Sequence, residues 1–370
     1  MNALIERYIK VVLHVFAHQR RLRIFVIVIL SLASLAWVAQ QPFNGVIVRS
    51  ACMSLQSVTP VAIKRTRTKL ASPYKRRLFV QLPGASARLG NRMFAHAALL
   101  GLAADIGLEA TMSFADDKNV LSSVFNLTTS AVTDARLAHL RTIEWPWRAA
   151  VYVPPPKNLT DGAAEDDDFV LIGYFQSWRY FKAVEERVRG EFRFKKHVAD
   201  AAAKVLRQVT ASYTKSSSSL VLVGIHVRRS DMAFDYQLRR GYTVADKHYI
   251  RRAMNYVSDR VTMNANATTT SLLFVVCTDD IRWAKLNVRP TSYPVVFASS
   301  LYQKAEVDLA VMASCDHVIT TVGTFSWWAG YLHRPDGITV YYAGFPKPGT
   351  EIGKDFLAED YFPPGWIGLL

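Results

Sequence analysis

Cysteine is scarce in this chain: three in 370 residues, Cys52, Cys277 and Cys315. So low and odd a count excludes a disulfide framework, and no Cys-x-x-Cys or Cys/His spacing marks a metal site. Cys277 follows an apolar strand pattern and Cys315 lies in another apolar region, so both are expected as buried free thiols. No internal repeat is present. Acids are nearly missing from the N-terminus. Residues 1–77 hold 13 Lys/Arg against one acid, Glu6, which leaves +12 of the total +15 there and only +3 on residues 78–370. A net +15 invites a nucleic-acid reading, but a nearly balanced remainder disfavours it. Half of the chain is hydrophobic, enough for one large or two medium cores.

Charge is also missing from residues 24–48, which begin IFVIVILSLASLAWVA. Arg20, Arg21 and Arg23 precede this run. A membrane span needs about 20 residues, fewer in a thin bilayer, and positive charge before it places the N-terminus in the cytoplasm. A buried soluble helix would show a polar face, and none is visible. A cleaved signal peptide would have fewer than the 23 residues found before the run. The expected layout is a cytoplasmic tail at 1–23, a transmembrane signal-anchor at 24–43 ended by Pro42, and a Ser/Thr/Lys/Arg-rich stem at 44–77. Three N-x-S/T sequons, at Asn126, Asn158 and Asn266, agree with a lumenal globular part.

That globular part reads as α/β. Strand patterns occur at 78–82, 169–173, 220–227, 271–278, 293–298, 317–322 and 337–344. Helical patterns occur at 93–108, 181–209, 246–260, 280–287, 304–315 and 326–333. The run LVLVGIHV at 220–227 is apolar nearly throughout, as in a strand buried on both faces. The serine run ending at 219 marks a boundary between 78–219 and 220–370, and the second part alternates like a Rossmann fold.

Three constellations carry chemistry. Gly224-Ile225-His226-Val227-Arg228-Arg229-Ser230-Asp231 ends a buried strand, where parallel sheets place ligands. Arginine suits bidentate contact with phosphate. Side chains alternate along a strand, so one arginine is expected to face a ligand while the other braces it; ordinary solvated arginines are the bland alternative. Next, Gly323-Thr324-Phe325-Ser326-Trp327-Trp328 turns from a strand into a helix. Its first amides suit an anion, with Thr324 and Ser326 adding hydroxyls or simply capping the helix. Trp327 and Trp328 are expected in the core. Last, Asn91 and Arg92 near the start of the first helix are placed to touch a diphosphate or sugar, or to cap it. Asp166 and Asp168 match the Asp-x-Asp of metal-using transferases, but they precede a strand and read as a solvated acidic loop. A leaving diphosphate then needs arginine and backbone N–H groups.

These motifs resemble those of the α1,2-fucosyltransferases, the galactoside 2-α-L-fucosyltransferases of glycosyltransferase family 11. His226-Val227-Arg228-Arg229-Ser230-Asp231 resembles the family's His-x-Arg-Arg-Gly-Asp. Arg88-Leu89-Gly90-Asn91-Arg92-Met93 resembles its Gly-Arg-x-Gly-Asn-Gln-Met, and Gly173-Tyr174-Phe175-Gln176-Ser177-Trp178 its Gly-Tyr-x-Gln-Ser-Trp. The Asp308-Leu309-Ala310, Gly323-to-Trp328 and Pro364-Gly365-Trp366-Ile367-Gly368 segments follow in the family's order. Ser230 and Arg92 depart from its usual Gly and Gln.

The resemblance implies a GT-B-like fold: an acceptor-side domain at 78–219 and a GDP-fucose-binding Rossmann-like domain at 220–370. It implies metal-independent, inverting transfer of fucose from GDP-fucose to a terminal β-galactoside, with no cofactor, in a type II Golgi membrane protein. The implied catalytic residues are Arg229, Arg228 and Asp231, with Arg229 slightly favoured for the donor phosphate. His226, Asn91, Asp308, Gly323, Thr324, Phe325 and Ser326 complete the implied GDP-fucose contacts. An α1,6- or protein O-fucosyltransferase, or a membrane-tethered carbohydrate-binding protein, remain as alternatives. The acceptor, the catalytic base and the oligomeric state stay open.

Overall fold

The computed structural model describes residues 75–370, apart from short stretches at 84–86, 114–116, 133–139, 147–149, 157, 165–166, 214–218, 265–269 and 301–303. The expected anchor and tail, most of the stem, Cys52, Asp166, Asn266 and most of the serine run lie outside these residues. Among the described residues no helix is long and apolar enough to cross a membrane. Asn126 and Asn158 both stand exposed.

Among the described residues twelve strands follow in chain order: β1 Arg77–Gln81, β2 Glu109–Ala110, β3 Met112–Ser113, β4 Ala131–Val132, β5 Leu140–Glu144, β6 Asp168–Ile172, β7 Ser219–Val227, β8 Thr270–Thr278, β9 Val295–Phe297, β10 His317–Ile319, β11 Thr339–Tyr342 and β12 Ile367–Leu369. They form a four-stranded sheet, β2-β1-β6-β5, a six-stranded sheet, β12-β11-β10-β7-β8-β9, and the small pair β3-β4. Every strand pair is parallel. Parallel neighbours need crossovers, and helices supply most of them. The protein is therefore α/β, and its described residues fall in one compact unit.

The apolar runs of β7 and β8 follow from burial on both faces. Leu272, Phe274 and Val276 point to one side and pack with Tyr249, Ile250 and Met254 of the helix Lys247–Asn264. Leu273, Val275 and Cys277 point to the other and join a core shared with the helices Ala305–Ala313, Thr324–Leu332 and Leu89–Ile106. Cys277 and Cys315 are both buried and unbridged.

Three departures from expectation have local causes. The first helix runs Leu89–Ile106, not 93–108; it ends where Gly107 turns left-handed (φ 72°) and its N–H returns to Ala103. The helical stretch expected at 181–209 is broken into Glu185–Glu191 and Lys196–Thr210. At the break Phe194 bridges to Phe125, and Lys195 N donates to Val124 O at 2.8 Å, so the backbone leaves the helix to pair elsewhere. Asp168 is not part of a solvated loop. It starts β6 at 3% exposure, and its carboxylate accepts from Arg77 N and Nε at 2.9 Å each and forms an ion pair with that guanidinium.

The helices Leu89–Ile106 and Thr324–Leu332, which lie between the two larger sheets' cores, meet through aromatic packing. Phe94 lies 4.5 Å from Trp327 and 5.1 Å from Trp328, ring centre to ring centre. Both tryptophans are buried, and each indole N–H finds a backbone carbonyl: Trp327 reaches Tyr361 O at 2.8 Å, Trp328 reaches Gly90 O at 3.0 Å. A buried indole left without such a partner would lose much of what its burial contributes.

Candidate active site

Sheet order decides where a ligand sits. Counted from β7, the large sheet reads 6-5-4-1-2-3, the order of doubly wound nucleotide-binding folds. The chain leaves β7 for β8 and β9 on one side, then returns to β10 on the other. Ligands bind beyond the strand ends at such a switch point. A cleft of about 1120 Å³ lies there, and residues following β7, β8 and β10 line it.

The two arginines after β7 part company. Arg228 lines the cleft, and its guanidinium is held by the carboxylates of Asp231 and Asp279. Asp231 in turn accepts from Arg88 Nη2 at 2.9 Å. Arg229 is not among the lining residues. Its guanidinium lies 4.0 Å above the Trp283 ring, and Nη1 donates to Ala245 O at 3.3 Å. Its backbone N–H donates to Asp279 Oδ1 at 2.9 Å, and Ser230 Oγ donates to Asp279 O at 3.1 Å. Arg229 and Ser230 thus pin the loop that presents Arg228.

The helix Thr324–Leu332 begins at Gly323, which caps it at φ 94° with no side-chain bond to the first turn. Neither Thr324 nor Ser326 serves as the cap. Thr324 Oγ1 donates to Asn91 Oδ1 at 2.8 Å. Ser326 Oγ accepts from Thr321 N at 2.9 Å and sits 3.0 Å from His226 Nδ1. Gly323, Thr324 and Phe325 line the cleft, while Ser326 is fully buried behind them. A helix start without a side-chain cap suits an anion. Burial pushes His226 down to about 4, with Asp279 opposing and Arg228 assisting, so the ring is neutral at pH 7 and adds no charge.

The first helix reaches the site through Gly90 and Asn91. A Cβ on Gly90 would lie 2.7 Å from Phe325 N and 2.7 Å from Thr324 Oγ1, so only glycine permits this approach. Asn91 Oδ1 accepts from Gln176 Nε2 at 3.1 Å as well as from Thr324, tying three segments together at the cleft wall. Arg92 is elsewhere: it is buried, and its Nε donates to Ala87 O at 2.9 Å.

Beyond β8 and β9, Thr278 N donates to Ser299 Oγ at 2.9 Å, and Ser299 Oγ donates to Asp308 Oδ2 at 2.7 Å. Burial raises the Asp308 carboxyl to about 7, against the Ser299 hydrogen bond. Asp308 lines the cleft. Sequence reasoning missed the rest of the lining. Tyr174 and Gln176 lay inside a quoted motif yet were not singled out. Arg240, Tyr242, Phe345, Glu351, Asp355 and Phe356 line the cleft from segments with no periodic pattern. Among the described residues no group of three or more His, Cys, Asp or Glu side chains is arranged to hold a metal ion.

A doubly wound parallel sheet with a guanidinium and an uncapped helix start at its switch point defines an α/β protein whose cleft offers contacts that suit an anion. The comparisons supply the family. Residues 46–370 match glycosyl transferase family 11. The chain is 33% identical to galactoside alpha-(1,2)-fucosyltransferase 1 of Pan troglodytes, across 77% of this chain and 73% of that one. It is 30% identical to galactoside 2-alpha-L-fucosyltransferase SEC1 of Bos taurus, across 77% and 72%. The fucosyltransferase NodZ from Bradyrhizobium is 15% identical, with a TM-score of 0.41 across 70% of this chain and 94% of that one. The chain belongs to glycosyl transferase family 11 and is a transferase.

Proposed function

We propose that this protein transfers L-fucose from GDP-fucose, in α1,2 linkage, to the terminal β-galactoside of a glycan. The observation that carries the reading is the convergence of Arg228 and the open helix start at 323–325 on one cleft. In this reading the GDP diphosphate lies between them, and Asp308 with Ser299 meets the nucleoside. The galactose 2-hydroxyl attacks fucose C1 from the face opposite GDP. The new O–C1 bond forms as the bond from C1 to the phosphate oxygen breaks, so the anomeric centre inverts. GDP leaves with the bonding pair, and the charge gathering on its β-phosphate meets Arg228 and the first-turn amides. The hydroxyl proton passes to a general base as the new bond forms.

Arg228 is the group that touches the donor, and Arg229 positions it through the Trp283 and Asp279 contacts. Asp231, held by Arg88 and Arg228, braces the guanidinium until the phosphate competes for it. The reaction needs no metal and no cofactor. The two sheets act as the halves of a GT-B-like enzyme, with 78–219 on the acceptor side and 220–370 binding the donor. The relatives' names support the chemistry, and the Arg-flanked apolar run at 24–43 with its downstream sequons supports a type II Golgi membrane protein with a lumenal site.

The test uses the full chain in detergent, GDP-fucose, and a β-galactoside in EDTA. Release of GDP with an α1,2-fucosylated product is expected. Turnover only with Mn²⁺ would refute the metal-free step, and hydrolysis without transfer would refute the acceptor.

A further inference from the structure

Sheet order gives the cleft two ends, and they differ in chemistry. Beside β7, strands β8 and β9 bring Thr278, Ser299 and Asp308, a hydrogen-bonded polar group. Beside β10 lies β11, and the chain leaving it enters residues 343–361. Phe345, Glu351, Asp355, Phe356 and Tyr361 of that segment line the cleft. Their rings run on from Tyr242: Tyr242 to Phe345 is 5.5 Å and stacked, Phe345 to Phe356 is 5.9 Å, and Phe356 to Tyr361 is 5.4 Å. Tyr242, Phe345 and Phe356 are only half-buried, so part of this surface faces the cleft.

Two carboxylates stand on the same segment. Glu351 is held by Arg240, whose Nη2 lies 2.9 Å from Oε1. Asp355 is exposed and, among the described residues, makes no hydrogen bond or ion pair. Arg240 is fixed further, because Ile352 N donates to Arg240 O at 3.0 Å, and Lys347 N donates to Gly241 O at 2.9 Å. The wall is thus fastened to the segment that follows the Arg228 loop.

A pyranose presents a face of C–H groups and a rim of hydroxyls. It needs an apolar ring to cover the first and a carboxylate to accept from the second. The wall combines both on one side of the phosphate-holding centre.

We propose that residues 343–361, with Tyr242, form the acceptor subsite. Phe345 and Phe356 cover the apolar face of a β-linked galactose, and Asp355 accepts hydrogen bonds from its hydroxyls. The proposal rests on the fucosyl-transfer reading and seats the acceptor galactose on a wall of 220–370, at the end of the cleft away from Asp308, while Tyr174 and Gln176 of 78–219 line the same cleft. A nucleobase would also stack on these rings, and in that case the two ends of the cleft exchange roles.

The test compares wild-type full chain with Asp355→Ala and Phe356→Leu. Two quantities are read: the acceptor KM at saturating GDP-fucose, and the Kd of GDP alone by calorimetry. Each variant is expected to raise acceptor KM about tenfold and to leave the GDP Kd within about twofold. Asp355 is exposed, so its variant separates lost contact from lost folding if Phe356→Leu melts early. A GDP Kd weakened as much as the KM would assign the wall to the nucleotide and overturn the proposal. So would an unchanged KM in both folded variants. Wild-type protein that binds GDP yet transfers to no β-galactoside would instead overturn the fucosyl-transfer reading.

Discussion

The six-stranded sheet and the four-stranded sheet serve the cleft in different ways. In the first, β7 and β8 are nine residues each and run side by side along their whole length. Their ends place Arg228 and Asp279 directly at the switch point. In the second, strands are two to five residues long, and they reach the cleft through the loop after β6, which brings Tyr174 and Gln176, and through a helix. The sheet packs on the helix Leu89–Ile106, and that helix touches the site only through its first turn. The long sheet therefore supplies charge, and the short one supplies position. Stability and turnover should respond separately when each is damaged.

Arg228→Lys keeps the charge and loses the planar fork. Turnover should fall by about 10²–10³ with the melting temperature nearly unchanged, measured by steady-state GDP release and thermal circular dichroism. Arg229→Lys keeps a cation over Trp283 and should lose only about tenfold. Equal losses in both would return Arg229 to the phosphate. Damage to the short sheet should show the reverse pattern. Asp168→Ala removes the buried carboxylate that accepts from the half-buried Arg77 guanidinium and its backbone N–H, and should cost about 2 kcal/mol of stability in denaturant titration. GDP affinity of the protein that remains folded should be unchanged.

Gly90→Ala tests the joint between the two regions. The added Cβ meets the backbone of residues 324 and 325, so the helix starts must part. About 2 kcal/mol of stability is expected to go, together with a raised GDP Kd, because the shift moves the anion-binding amides. Loss of stability alone would place the joint outside the site.

The last expected effect, absent at pH 7, is on pH dependence. His226 and His333 are both pushed by burial to about 4, below the unfolded histidine value near 6.5. The unfolded chain therefore takes up more protons between these values. Stability is full above about pH 6.5 and falls as pH drops toward 4, by at most about 1.4 kcal/mol per pH unit for each histidine. His226→Gln should flatten that slope in urea titrations at pH 6.5, 5.5 and 4.5. An unchanged slope would mean that His226 is not the neutral, buried partner of Ser326.

Legibility in sequence followed the same division. The long strands, the Arg228–Arg229 turn and the glycine before Thr324 stand out because burial on both faces writes an unbroken apolar run. What sits after such a run is then conspicuous. Which arginine faces the cleft was not legible, since that depends on Trp283 and Asp279, some fifty residues away. Asp168 was misread because Asp-Asp-Asp looks solvated until Arg77 is brought beside it by parallel pairing. Helix break 192–195 was hidden for the same reason: Phe125 supplies the competing bridge. The 343–361 wall carries no period at all. Only the fold shows that Phe345, Phe356 and Tyr361 face one space.

The central claim is that Arg228 and the helix start at Gly323 hold the diphosphate of GDP-fucose while fucose passes to galactose. The most direct measurement is single-turnover transfer by wild-type and Arg228→Lys protein, with product linkage read by sensitivity to an α1,2-specific fucosidase. The account predicts an α1,2-linked product, and a chemical step slowed by about 10²–10³ in the variant at saturating donor. A variant that transfers at the wild-type rate, or a product resistant to that fucosidase, would contradict it.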